Sequence, residues 1–157
     1  MTTPVITREH WLVQPWQNGR GTTHEVFRDP PGSGAFDVRV SIALVEESGP
    51  FSLFPGYRRF TFLVGPAPIH LAQATSFDLV APGDHASMPG DVPIEATVRA
   101  PTRLLNVLVR DALEGRLVVG FGPTPKHVTF VFDLATTEAV HFATPTQHDT
   151  HGCVWLA

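Results

Sequence analysis

Asp37-Val38-Arg39-Val40-Ser41-Ile42-Ala43-Leu44 alternates with the two-residue period of a β-strand. Val38, Val40, Ile42 and Leu44 share one face; Asp37, Arg39, Ser41 and Ala43 share the other. Working outward, similar short runs rich in Val, Phe, Thr and Leu predict strands at 22–28, 59–64, 68–72, 76–80, 92–99, 103–110, 115–120, 127–133, 137–142 and 152–156. Fifteen prolines and thirteen glycines separate these runs. No dozen-residue window free of Pro and Gly carries a 3.6-residue apolar period. Many short strands with frequent turns predict an all-β sandwich or barrel.

The chain has 157 residues, enough for one domain or two small fused halves. A folded chain of this size buries about 70% of its extended surface, so it needs no covalent staples. With 43% hydrophobic and 17% charged residues, the composition is that of a folded globule. The formal net charge is −4, and Lys126 is the lone lysine among scattered arginines. Without a basic stripe, nucleic acid is not an expected partner. Cys153 is the single cysteine, which excludes an intrachain disulfide and a multi-cysteine zinc site. No basic segment followed by an apolar core opens the sequence, and no apolar run approaches the length of a membrane span. The expectation is a cytoplasmic protein without a membrane partner.

An internal echo suggests two related halves. Phe60-Thr61-Phe62-Leu63-Val64 is followed after a turn by Ile69-His70-Leu71-Ala72. Val128-Thr129-Phe130-Val131-Phe132 is followed after a longer turn by Val140-His141-Phe142-Ala143. The expectation is one hairpin used twice, once in each half.

Two polar clusters carry the candidate chemistry. The first is Pro15-Trp16-Gln17-Asn18-Gly19-Arg20-Gly21-Thr22-Thr23-His24-Glu25. Asn18-Gly19 favours a tight turn. The stretch reads either as a loop offering N–H groups and hydroxyls to an anion, or as a hairpin turn with a capping Asn. Alternation on the following strand sends Thr22 and His24 one way, Thr23 and Glu25 the other. The second cluster, Gly49-Pro50-Phe51-Ser52-Leu53-Phe54-Pro55-Gly56-Tyr57-Arg58-Arg59, brings aromatics next to arginine. Arg59, Thr61 and Leu63 share a strand face. An inward guanidinium there suits a small organic acid, and a surface salt bridge is the alternative for Arg58 or Arg59.

Other chemistries find less support. There is no His-x-His pair for a metal, and the eight histidines are dispersed. His148 and His151 flank Asp149 and read as a solvated tail rather than a metal site. His70 and His141 read as structural strand residues, and Asp84-His85 as a turn rather than a dyad. There is no Gly-x-Ser-x-Gly, and Cys153 sits in an apolar strand. Trp11 and Trp16 read as core or pocket wall. No metal and no cofactor are expected.

These residues, in this order, resemble the HutD/Ves family, which is associated with bacterial histidine utilisation. The family's Trp-Lys-Asn-Gly-Gly-Gly-x-Thr-Arg-Glu signature is similar to Trp16-Gln17-Asn18-Gly19-Arg20-Gly21-Thr22-Thr23-His24-Glu25. Its Trp-Arg-x-Ser-Ile-Ala strand is similar to Val38 through Ala43. Its Gly-Pro-Phe-Ser-x-Phe-Pro-Gly-x-x-Arg segment matches Gly49 through Gly56 and then Arg59. Its Phe-x-Gly-Asp turn is similar to Met88-Pro89-Gly90-Asp91, and its Asp-Leu-Asn-Val-Met-x-Arg strand to Leu104 through Arg110. The chain departs from these patterns at Gln17, Arg20, His24, Val38 and Leu104, which is expected to thin the charge near a pocket.

The resemblance implies an all-β bicupin: two cupin-like β-barrel or sandwich halves fused in one compact domain over 1–157, with approximate halves 1–85 and 86–157. It implies a non-catalytic, regulatory protein that binds a small carboxylate, such as a formylated glutamate or urocanate. Arg59 would hold the carboxylate. Asn18, Gly21, Thr22, Thr23, Glu25 and Ser52 would line the site with hydrogen-bonding groups, and Phe51 and Phe54 would wall it. Arg39, Ser41 and Asn106 complete the expected set. Two rival readings stay open. One is a metal-independent isomerase or lyase with Glu25 or His24 as general base. The other is a protein-interaction module with an exposed apolar patch. Homodimerisation is also left open.

Overall fold

The computed structural model describes residues 5–147 and 152–157. Its chain order is β1 (Val5–Ile6), β2 (Leu12–Pro15), β3 (Gly21–Asp29), β4 (Val38–Val45), β5 (Gly49–Pro50), β6 (Tyr57–Gly65), β7 (Ile69–Ala72), β8 (Ser76–Leu79), β9 (His85–Pro89), β10 (Glu95–Val98), β11 (Thr102–Arg110), β12 (Val119–Gly122), β13 (Val128–Asp133), β14 (Ala139–Thr146) and β15 (Cys153–Leu156). Two 3₁₀ turns, Arg8–His10 and Asp111–Leu113, are the only helical elements among the described residues. The all-β expectation holds. The three sheets are open rather than closed barrels, with orders β1-β14-β13-β15-β12, β5-β10-β7-β8 and β2-β3-β4-β11-β6-β9.

The chain forms two compact units. The larger spans Leu12–Leu113; the smaller joins the segment ending at Trp11 to Glu114–Ala157. The expected boundary near residue 85 falls instead at the start of β9, inside the larger unit. The reason is pairing and packing: β9 lies against β6 from Arg58↔Pro89 to Phe62↔His85, and its Ala86 and Met88 enter the larger unit's core.

In the larger unit the six-stranded and four-stranded sheets face each other. Ala43, Val45, Leu63, Ala86, Met88 and Leu104 from the first meet Ile69, Leu71, Leu79 and Ala96 from the second, with Phe51 and Ile94. The stretch 37–44 explains why β4 is central. Its apolar row, Val38, Val40 and Ile42, is buried, and so is the row carrying Arg39, Ser41 and Ala43. Two buried faces are affordable for a strand only if the polar row finds partners or a ligand.

The echoed hairpin is a hairpin only once. β13 and β14 pair antiparallel, Phe130↔His141 and Val131↔Val140. β6 and β7 do not pair: β6 lies between β11 and β9, while β7 lies between β10 and β8 in the other sheet. Gly65, at φ +106°, turns the chain out of the first sheet, a conformation open to glycine and strained for other residues. His70 on β7 meets Asp78 on β8 at 2.6 Å, as a strand-surface residue would. The smaller unit packs Val128, Val131 and Cys153 with Phe142, Trp155 and Ala157. Trp11 lies 6.5 Å from Phe132 in the same unit. His148, Asp149 and His151 lie outside the described residues.

The Asp84-His85 turn is closed by two bonds from the N–H groups of Val80 and Ala81 to Asp84 Oδ2, both 2.9 Å. These bonds hold the Asp84 carboxyl below the usual carboxylate range. A depressed folded pKa gives stability that is present above the unfolded value and lost as pH falls through the folded one. Asp84→Asn should therefore lower stability at neutral pH, where the ionised carboxylate is in place, and change little near pH 2, so that the acid side of the stability–pH curve flattens, measured by urea titration from pH 2 to 7. In the core, Leu104→Ala should cost about 2–5 kcal/mol in the same assay, whereas exposed Leu53→Ala should stay within about 0.5 kcal/mol.

Candidate functional site

The site is built on the inner face of the six-stranded sheet. Register places Glu25, Ser41, Asn106 and Thr61 side by side across β3, β4, β11 and β6. The next rung carries Arg39, Leu108 and Arg59, and the rung on the other side carries Thr23, Ala43, Leu104 and Leu63. The inner face thus changes along its strands from apolar core to a polar end. Arg39, Ser41, Arg59, Thr61 and Asn106 are all buried there. Polar residues at these positions cannot be told from solvent-facing ones by alternation alone, because alternation names a face and not its direction.

A cavity of about 550 Å³ opens over this polar end, lined wholly by the larger unit. Nine of the expected site residues line it: Asn18, Thr23, Arg39, Ser41, Phe51, Ser52, Phe54, Arg59 and Asn106. Gly21, Thr22 and Glu25 do not. Gly21 instead lets Trp16 lie flat on the backbone; a Cβ there would come within 2.9 Å of the indole and collide with the Leu44 carbonyl oxygen. Thr22 takes the opposite face of β3, together with His24. Glu25 sits behind Arg39 as its counter-charge.

The first cluster is the β2–β3 hairpin. Its turn is capped as an Asn-Gly turn would be: the Arg20 N–H donates to Asn18 Oδ1 at 3.0 Å, with Gly19 at φ +71°. Arg20 leaves the cavity and donates from Nη1 to the Ser48 carbonyl at 2.5 Å. Trp16 Nε1–H donates to Thr23 Oγ1 at 2.8 Å, and its ring meets Phe51 edge-on at 5.9 Å. Trp16 is therefore a cavity wall. Gln14, Gln17 and Leu108 also line the cavity. Gln14 escaped sequence reasoning because β2 gives only a brief apolar signal before Pro15.

The second cluster is the loop from β5 to β6, fastened at both ends. Phe51 N–H donates to the Ile94 carbonyl at 3.0 Å, and Phe54 N–H to the Gly90 carbonyl at 2.7 Å. Its two aromatic rings flank Arg59, whose guanidinium carbon lies 5.5 Å from the Phe51 centroid and 5.4 Å from that of Phe54. Arg59 Nη2 donates to the Ser52 carbonyl at 2.7 Å.

The electrostatics are uneven. Arg39 Nε donates to Glu25 Oε1 at 2.8 Å, and Arg28 Nε and Nη2 reach the same oxygen at 3.0 and 2.9 Å. Arg59 makes no ion pair with any described residue, and its buried Nε has no hydrogen-bond partner. Burial, and then the charge of Arg39, push its pKa down to about 10, so it remains a cation at neutral pH. Thr61 Oγ1 donates to Asn106 Oδ1 at 2.7 Å, which occupies the amide oxygen and leaves the two amide N–H donors of this cavity-lining residue out of that bond. The arrangement offers donors and positive charge to an anion. The two candidate bases are placed otherwise: Glu25 is held by two arginines, and His24 lies on the opposite face. Among the described residues, no group of three His, Cys, Asp or Glu is placed to hold a metal. No helix among them is long and apolar enough to cross a membrane.

Comparison with solved structures gives the class: a cupin-like all-β fold. The chain aligns over 69% of its length with 92% of an RmlC-like cupin from Shewanella frigidimarina NCIMB 400, at TM-score 0.51 and 12% identity. It aligns over 99% of its length with 97% of HutD from Pseudomonas fluorescens SBW25, at TM-score 0.80 and 24% identity. Residues 8–150 match the HutD family, and the chain belongs to that family. Among relatives, it is 36% identical over 109 residues to the uncharacterized 21.2 kDa protein in the hutC 3′ region of Pseudomonas putida, covering 68% of this chain and 54% of that one. It is 40% identical over 65 residues to Protein Ves of Escherichia fergusonii, covering 41% of this chain and 34% of that one. The chain thus spans between a third and about half of the length of these curated relatives.

A buried cation without a counter-charge costs folding energy. Arg59→Met should therefore leave the ligand-free protein as stable or more stable, by about 1–3 kcal/mol, in urea unfolding. A clear loss of stability would show that the Ser52 bond and ring contacts outweigh the desolvation.

Proposed function

We propose that this protein binds a small carboxylic acid in the larger unit's cavity, without catalysis, and that the bound state tunes histidine utilisation in the cytoplasm. The observation that carries the reading is Arg59: a buried guanidinium between two phenyl rings, with an unpartnered Nε and no carboxylate paired to it among the described residues. A ligand carboxylate supplies what it lacks, and a charge-assisted bond in a site shielded from water is strong. Asn106, Ser41 and Ser52 add neutral donors, and Phe51, Phe54 and Trp16 provide apolar walls for a carbon skeleton. A formylated glutamate or urocanate fits this chemistry, and the hutC-region location of a relative supports the pathway.

A thermal-shift screen of histidine-degradation intermediates and related acids tests the reading, because a ligand of the native state raises its apparent stability. Losing a buried arginine–carboxylate contact costs on the order of 2–5 kcal/mol. Arg59→Ala should weaken the best ligand at least tenfold by calorimetry. Unchanged affinity would remove Arg59 from the site.

A further inference from the structure

Strand β3 carries an irregularity whose consequence reaches the cavity. Its register against β4 slips between Glu25 and Phe27, so Glu25 pairs with Ser41 and Arg28 with Arg39. On a regular strand, residues three apart point to opposite faces. The extra residue puts Glu25 and Arg28 on the same face, beside Arg39. One oxygen, Glu25 Oε1, then receives bonds from both arginines. Arg39 is held through Nε alone. Its terminal Nη groups make no hydrogen bond with any described residue, and Arg39 lines the cavity while Glu25 does not.

The two cavity arginines therefore differ. Arg59 has no counter-charge among the described residues; Arg39 shares one with Arg28. They lie on one rung with Leu108 between them, so their Cα atoms are about 10 Å apart across two strand spacings. Resting on the carboxylate-binding reading above, we propose that Glu25 is a positioning and charge-setting residue. It aims the Arg39 Nη groups into the cavity and, by its own negative charge, disfavours a second carboxylate there. The ligand class that fits is an acid with one carboxylate for Arg59 and an uncharged carbonyl or amide oxygen for Arg39.

Succinate and succinamate test this directly. They match in length and differ by one carboxylate turned into a carboxamide. Both are titrated calorimetrically into the wild-type protein, Glu25→Gln, Glu25→Asp and Arg28→Gln. In Glu25→Gln, selectivity should shift toward succinate by about tenfold, the effect of removing one nearby like charge. Glu25→Asp should restore the wild-type ratio. Arg28→Gln frees Glu25 to act on Arg39 alone and should move the ratio the opposite way, which keeps the test sharp even if Glu25→Gln fails to fold. A ratio unchanged in Glu25→Gln and Arg28→Gln, with both acids still binding, overturns the role of Glu25 and leaves the carboxylate reading intact. Binding of neither acid, nor of any acid in the thermal-shift screen, overturns both.

Discussion

The larger unit is organised around a cation that no described carboxylate pairs. Arg59 is buried on the inner face of the six-stranded sheet, where desolvation and neighbouring Arg39 both oppose its charge. A fold tolerates such a group when other contacts over-determine its place. Here the Ser52 carbonyl holds one nitrogen and two phenyl rings take the faces. Those rings belong to a loop that is itself tied to Ile94 and Gly90. Gly90 is open to this tie because it has no side chain: a Cβ would strike the carbonyl oxygens of Phe54 and Tyr57. The second sequence cluster is thus one device, a loop that shields a guanidinium from water and leaves its Nε without a hydrogen-bond partner among the described residues.

The remaining polar groups of the inner face follow the same economy. Thr61 and Asn106 satisfy each other at 2.7 Å, and that bond fixes the direction of the Asn106 amide. Glu25 satisfies Arg39 and Arg28 together. Each pairing removes a cost of burial, and Asn106 and Arg39 both line the cavity. The apolar end of the same face, from Ala43 and Leu104 to Leu63, packs against the four-stranded sheet. Core and cavity are therefore continuous, and a change of residue type along three central strands separates them.

The strands easiest to read in the sequence were those with β-branched or aromatic alternation, such as β4, β6, β11 and β13. β9 was hidden because His85-Ala86-Ser87-Met88-Pro89 has no β-branched residue and follows a turn; it is a strand by virtue of pairing with β6. β2 was hidden because its four residues are all exposed, so no face was selected for apolar character. The echo misled because two similar apolar segments can enter one sheet or two, and the difference rests on one backbone turn at Gly65. In the site, residue type and order were legible for Arg59, Phe51, Phe54 and Ser52. The roles of Thr22 and Glu25 were not, since one depends on which face is inner and the other on a one-residue bulge.

That distinction bears on the five positions where the chain departs from its family's patterns. Gln17 is the one that lines the cavity. Arg20 turns away to the Ser48 carbonyl, and His24 takes the outer face of β3. Val38 lies in the buried apolar row of β4, and Leu104 is in the core between the sheets. The expected thinning of charge near the pocket is therefore confined to one side chain at its rim. The groups that meet in the cavity, Arg39, Ser41, Arg59 and Asn106, all stand at positions matching the family's segments. A change of lysine to Gln17 removes a flexible, well-hydrated charge from the hairpin wall, whereas the rigid guanidinium forks on the sheet remain. On the proposed carboxylate-binding reading, selection among acids falls to the sheet, where Glu25 offsets the charge of Arg39 and Arg28.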